Sequence, residues 1–233
     1  MKAGLHRVWD SFVKGHFSLL LVTLLAMFFI LPLIPAERSG IDRLFSGFGI
    51  LVILSCMRAV IASRGTLIFI LLLGSLNIVF SGIDVFDPLT HRSLVVAELS
   101  IRLIYYLLIF LIIMRYVLNR DPVTSDKICG AISAYLLIGI IWSLAYSLFF
   151  VMDPNSFSIP DAMLSSQARG YWTLYFSFVS LTTIGYGDVT PLSTAAQTYA
   201  YLEAACGQIY LTVLIARLVG LHIVHSNEAP RGS

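Results

Sequence analysis

The chain has 233 residues, 58% of them hydrophobic and only 12% charged, with a mean hydropathy of +0.87; an ordinary soluble domain has roughly 25% charged residues. That balance excludes a soluble enzyme, a disordered linker protein and a disulfide-stapled secreted domain. A net charge of +2 is too small to imply nucleic acid as a partner, and the basic residues stand at the ends of apolar segments, where charges report topology.

A bilayer core about 30 Å thick is crossed by about 20 helical residues, so runs of that length between charges and Pro/Gly turns predict an all-α membrane protein. The first run is Phe17 to Ile34, closed by Pro32 and Pro35, and the second is Leu44 to Ala62, closed by Ser63-Arg64-Gly65. The third, Thr66 to Phe80, is short and ends in the polar loop Ser81 to Arg92, so it spans only with tilt or local thinning. The fourth, Leu94 to Leu118, and the fifth, Ile128 to Met152, flank a charged connector at 119–127 that contains Pro122. After the polar turret Asp153 to Ala168, the stretch Gly170 to Leu181 is too short to cross and reads as re-entrant, and Thr194 to His222 is the sixth span. The expected organisation is a tail and four-helix peripheral domain at 1–118, a connector at 119–127, a second membrane domain at 128–225 and a tail at 226–233. The closing Ala229-Pro230-Arg231-Gly232-Ser233 reads as a cloning remnant, and the first run is too long, and followed by too many others, to be a cleaved leader.

Lys and Arg placement sets the expected orientation. With the N-terminus cytoplasmic, the inner ends hold Lys2, Arg7, Lys14, Arg58, Arg64, Arg115, Arg120, Lys127 and Arg217, while the outer ends hold only Arg38, Arg43, Arg92 and Arg169. Both termini are then cytoplasmic, and the re-entrant segment enters from outside. Cys56, Cys129 and Cys206 all lie within apolar runs and read as buried hydrophobes, not as a disulfide or metal set. His6, His16, His91, His222 and His225 are scattered, with no nucleophile, paired carboxylate or metal spacing beside them, so no enzyme is expected.

The strongest signal follows the re-entrant stretch: Thr182-Thr183-Ile184-Gly185-Tyr186-Gly187-Asp188, then Val189-Thr190-Pro191. A cation leaving water needs replacement oxygens at short range, because moving an isolated ion into low dielectric costs tens of kcal/mol. Backbone carbonyls supply them only if successive ones point the same way, which requires residues able to take left-handed φ/ψ values. Gly185 and Gly187 have no Cβ to forbid this. One chain offers a single strip of carbonyls, so a closed ring needs several copies about an axis. Thr183 can add a hydroxyl ring at the inner end, and the preceding helix aims its partly negative C-terminus at the axis.

Thr183-Ile184-Gly185-Tyr186-Gly187 resembles the selectivity filter of tetrameric potassium channels. Isoleucine stands where valine is commoner, at a position that presents its carbonyl to the ion. The resemblance covers about Lys127 to His225 closely. The first four runs resemble only the general six-helix layout of voltage-gated-like channels. It implies a homotetramer of six transmembrane helices plus a re-entrant pore helix and filter loop per subunit, with K+ held at Thr183, Ile184, Gly185 and Tyr186 and no other cofactor. The domain at 128–225 is then the pore domain.

Other positions support that reading. Tyr171, Trp172, Tyr175, Phe176 and Phe178 coat the pore helix with aromatic rings that either brace Tyr186 or anchor a short helix at the interface. By resemblance, Tyr175 lies where a donor to Asp188 sits, Thr182 adjoins the filter, and Val179 replaces an acidic group that some bacterial relatives carry behind it. Gly207 falls at the resemblance's gating hinge, with close packing against the fifth helix as the alternative. Gln208 faces the cavity in this reading, and Leu211, Leu214, Ile215 and Leu218 form an inner constriction or else face lipid. Glu203, ionisable within a span, is either pore-side or tied to the rear of the filter, or makes a structural hydrogen bond to Ser or Thr of the pore helix.

A voltage sensor needs arginines every third residue, whereas the fourth run offers Arg102 and Arg115 with Arg92 at its entrance. Glu98, four residues before Arg102, neutralises it locally, and Arg58 and Arg115 snorkel. The expected function is a potassium-selective channel without steep voltage gating. The alternatives are a weakly selective cation channel and a non-conducting accessory subunit. The lipid bilayer is the expected surroundings, a bacterial inner membrane the expected location, and neither nucleic acid nor a cytoplasmic ligand domain is expected. The gating stimulus is not written in these residues: lipid, tension, pH through His222 and His225, and constitutive opening all stay open.

Overall fold

The structure is a computed structural model that describes residues 17–30, 72, 74–76, 92–119, 123–164 and 171–228. The expected second run and Arg58 lie outside the described residues, and the third run touches them only at 72 and 74–76.

Five main helices carry the described fold: α1 (Ser18–Ile30), α2 (Arg92–Val117), α3 (Ser125–Met152), α5 (Tyr171–Leu181) and α6 (Thr194–Glu228), with the single turn α4 at Asp161–Leu164. Three of them are long and apolar enough to cross a membrane: α2, α3, and α6 over Thr194–Arg217. α1 has 13 residues, about 20 Å of helix. Its remaining expected residues, 31–34, lie outside the described set.

Local chemistry sets the helix ends. The Thr124 hydroxyl accepts the Lys127 N–H at 3.2 Å and caps α3, and the Ser193 hydroxyl accepts the Ala196 N–H at 3.2 Å at the start of α6. Asp126, in the first turn of α3, accepts the Phe17 N–H at 2.8 Å on one carboxylate oxygen and the Tyr116 hydroxyl at 3.2 Å on the other. One side chain thereby fastens the ends of α1, α2 and α3 together. α2 and α3 run antiparallel: Arg92 donates to the Met152 carbonyl at one end, and Lys127 Nζ donates to the Asn119 carbonyl at 2.9 Å at the other. Arg217 of α6 donates to the Leu118 carbonyl and, at 2.9 Å, to the Asn119 carbonyl, so two cations meet the partly negative end of α2. Within α2, Arg102 pairs with Glu98 at 2.6 Å, the i,i+4 pair expected from their spacing.

The main core takes Phe17, Leu20, Leu24 and Met27 from α1, Tyr105, Ile109 and Ile113 from α2, and Ala131, Ala134 and Leu137 from α3. It then reaches Leu174 and Leu181 of α5 and Tyr210 of α6. It is continuous across the connector, so α1 and α2 share one hydrophobic interior with the helices that follow. A second cluster joins Tyr146, Phe157, Trp172, Phe176, Val189 and Ala196. Above it, β1 (Phe157–Ser158) and β2 (Thr190–Pro191) pair antiparallel, Phe157 opposite Pro191, tying the turret to the chain after the motif. Hydroxyls bind α3 to α5: Ser143 and Ser147 each lie 3.1 Å from Thr173, as small polar residues do between apolar helices.

Candidate functional site

The last turn of α5 holds the motif in place through its own free carbonyls. The Thr182 N–H and hydroxyl both donate to Phe178 O, at 3.1 and 2.6 Å, and the Thr183 N–H donates to Ser180 O at 2.9 Å. Val179 O accepts from both the Ile184 N–H at 3.0 Å and the Gly185 N–H at 3.3 Å. Val179 thus contributes a backbone acceptor beneath the motif, while its side chain is buried.

From there the backbone alternates. Thr183 (φ 59), Gly185 (φ 60) and Gly187 (φ 77) are left-handed, and the intervening Ile184 and Tyr186 are not. Such alternation turns every second peptide plane over, so that successive carbonyls face one side. The two glycines are where the sequence places this freedom; Thr183 is the surprise. A β-branched residue in that region pays about 1–2 kcal/mol, and only surroundings that over-determine it keep it there. Its constraint comes from the Ser180 carbonyl on its own N–H and from the Val179 carbonyl, which accepts the N–H groups of Ile184 and Gly185 just after it. The motif's face is otherwise bare: Ile184 is 55% and Tyr186 68% exposed, and a Cβ built on Gly185 or Gly187 meets nothing within 4 Å.

Asp188 closes the segment. Tyr175 Oη donates to one carboxylate oxygen at 2.6 Å, and the Val189 N–H donates to the other at 3.0 Å. The Tyr175 ring stacks on Tyr186 with centroids 6.4 Å apart and planes 7° from parallel. Of the aromatic coat of α5, Tyr175 alone makes a ring contact with Tyr186 among the described residues. Trp172 and Phe176 are buried in the second cluster with Val189, and Phe178 meets Phe28 of α1 edge-on at 4.9 Å. The Tyr175 hydroxyl holds the Asp188 carboxyl below its ordinary range, helped by the Val189 N–H. The charged carboxylate, and with it the bond, is therefore present at neutral pH and is lost only as pH falls through that lowered value. Tyr175→Phe removes the donor and is expected to move the acid limb of any Asp188-dependent property to higher pH. A pH titration of ion flux through reconstituted protein checks it, and an unmoved limb would refute the assignment.

On α6, Gly207 packs against the end of α5. A Cβ there would lie 2.5 Å from the Leu181 carbonyl oxygen and 2.8 Å from Leu181 Cδ1, and α6 is helical without a break from Thr194 to Glu228. Gln208 and Ile215 are exposed, whereas Leu211 and Leu214 pack partly against the main core; the Leu218 side chain is outside the described residues. Glu203 is fully buried and faces α3 and α5: Tyr146 Oη donates to Oε2 at 2.6 Å, and Ser177 Oγ lies 2.5 Å from Oε1. Ser177 was within reach of a sequence argument, as a hydroxyl on the helix before the motif. Tyr146, on α3, carried no such signal.

Residues 128–221 match the ion-channel family model. The voltage-gated potassium channel regulatory subunits KCNF1 of Rattus norvegicus, Mus musculus and Homo sapiens are each 26% identical to this chain over 115 residues, which is 49% of this chain and 21% of each relative. The chain thus spans about a fifth of the length of these curated relatives. No solved structure gives a significant match. Together the matches support a potassium-channel family and a membrane protein, and they point to a non-enzyme. The matched segment runs from α3 to α6 and contains the whole alternating motif.

Proposed function

We propose that this chain is a potassium-selective channel subunit, that four copies surround one pore, and that Thr183, Ile184, Gly185, Tyr186 and Gly187 line it with stacked carbonyls. The observation that carries the reading is the left-handed backbone at Thr183, Gly185 and Gly187, which gives one strip of aligned carbonyls per subunit. In this reading α5 is the re-entrant pore helix, six spans include the runs outside the described residues, and both termini are cytoplasmic. The exposure of Ile184 and Tyr186, and of Ile209, Val213 and Ile215 on α6, supports surfaces completed by neighbouring copies, lipid and the pore. Tyr175 and Asp188 brace the outer end of the filter.

Potassium flux into liposomes holding only the purified chain tests the proposal, with sodium substitution and barium block as controls. Barium-blocked potassium flux with little sodium flux is the expected result. Equal sodium flux would replace the proposal with a weakly selective cation channel. A second reading, a non-conducting accessory subunit, draws on the printed description of the relatives as regulatory subunits. It predicts no flux from the chain alone and restored flux on co-assembly with a pore-forming channel.

A further inference from the structure

Three short oxygen–oxygen contacts meet around Glu203: Tyr146 Oη to Oε2 at 2.6 Å, Ser177 Oγ to Oε1 at 2.5 Å, and Ser177 Oγ to Gly139 O at 2.7 Å. Each is well inside hydrogen-bond distance, so each needs a proton between its oxygens. The Gly139 carbonyl only accepts, and Ser177 has one proton to give. If Ser177 donates to Gly139, it presents only lone pairs to Glu203. An ionised carboxylate would then leave lone pair against lone pair at 2.5 Å. A single proton shared between the two acceptors would lengthen both contacts, and neither is long.

The missing proton can come only from Glu203. We propose that Glu203 is held as a neutral carboxylic acid donating through Oε1 to Ser177, which in turn donates to Gly139 O, while Oε2 accepts from Tyr146. The acid is a positioning group: it locks α5, and so the motif at its C-terminus, to α3 and α6 at once. The surroundings agree. Glu203 is fully buried, and the titratable groups facing it are Tyr146 and Tyr135 on α3 and Cys206 on its own helix; α5 contributes only the Ser177 hydroxyl. Among the described residues no Lys or Arg pairs with it, and an unpaired charge within a membrane-crossing helix is costly.

The proton itself does not depend on the channel reading; its effect on conduction rests on that reading. Glu203→Gln keeps a donor for Ser177 and an acceptor for Tyr146 without an ionisable proton, whereas Glu203→Ala leaves the buried Tyr146 hydroxyl without its acceptor and Ser177 without its donor. Infrared difference spectra of the purified protein at neutral pH should show the carbonyl stretch of a protonated carboxylic acid in the parent and its loss in Glu203→Gln. Absence of that difference overturns the proposal. In liposomes, Glu203→Gln should keep parent-like flux and lose any decline at alkaline pH, while Glu203→Ala loses roughly tenfold or more. Equal damage by Gln and Ala would also overturn it. If the parent carries no flux at all, the infrared result still decides the protonation of Glu203, and only the conduction reading fails.

Discussion

Gly187→Ala, and equally Gly185→Ala, is expected to abolish potassium flux while leaving the fold of each subunit intact. Both positions have positive φ, 77 and 60, yet a Cβ at either meets nothing within 4 Å. Within one subunit the cost is therefore confined to backbone conformation, about 1–2 kcal/mol for an L-residue held left-handed. That is too little to unfold a subunit. Alanine escapes by returning to negative φ, which swings one carbonyl out of the strip. In the proposed fourfold ring the same cost would recur in every copy, roughly 4–8 kcal/mol in all. At 1.4 kcal/mol per tenfold, the fully aligned ring then becomes roughly three to six orders of magnitude rarer. Flux assayed beside thermal unfolding checks this: flux should vanish while the melting temperature falls by no more than about 2–8 °C. Parent-like flux from both variants would mean that alternation at 183–187 is not what conducts.

Gly207→Ala separates two readings of one residue by the sign of a stability change. Were Gly207 only a hinge, alanine would stiffen α6 and gain about 1 kcal/mol of helix propensity. The structure puts the Leu181 carbonyl oxygen 2.5 Å from where the new methyl must go. That atom is backbone at the end of α5, so it cannot rotate aside. Overpacking of this kind costs typically about 1–3 kcal/mol, and relief by sliding α6 away from α5 would carry the motif with it. The expected result is a lower melting temperature together with reduced flux. A raised melting temperature with reduced flux would favour the hinge.

The sequence reveals the helices on either side of the connector and before the motif best, because charges, prolines and glycines bound them. Leu94 to Leu118 is expected and Arg92–Val117 found; Ile128 to Met152 is expected and Ser125–Met152 found; Gly170 to Leu181 is expected and Tyr171–Leu181 found. The Glu98–Arg102 pair was equally legible, since four-residue spacing on a helix is a local matter. Tertiary placement was not. Helices destined for lipid are apolar all round, so the residues of α1 do not disclose that Phe28 faces Phe178 or that Phe17 enters the same core as Leu137. The left-handed Thr183 was hidden for a different reason: glycine advertises positive φ, whereas threonine is forced into it by the carbonyls around it. Gly207 was ambiguous because hinge and close contact leave the same mark in a sequence.

The bond from the Phe17 N–H to Asp126 joins residues 109 apart in the chain. During synthesis at about 5–20 residues per second, Asp126 emerges roughly five to twenty seconds after Phe17. Until then the Phe17 N–H lacks this partner, and the face of α1 that packs on α3 waits for it. The earliest described helix is thus fastened at this end only when α3 begins, before the alternating motif has been made.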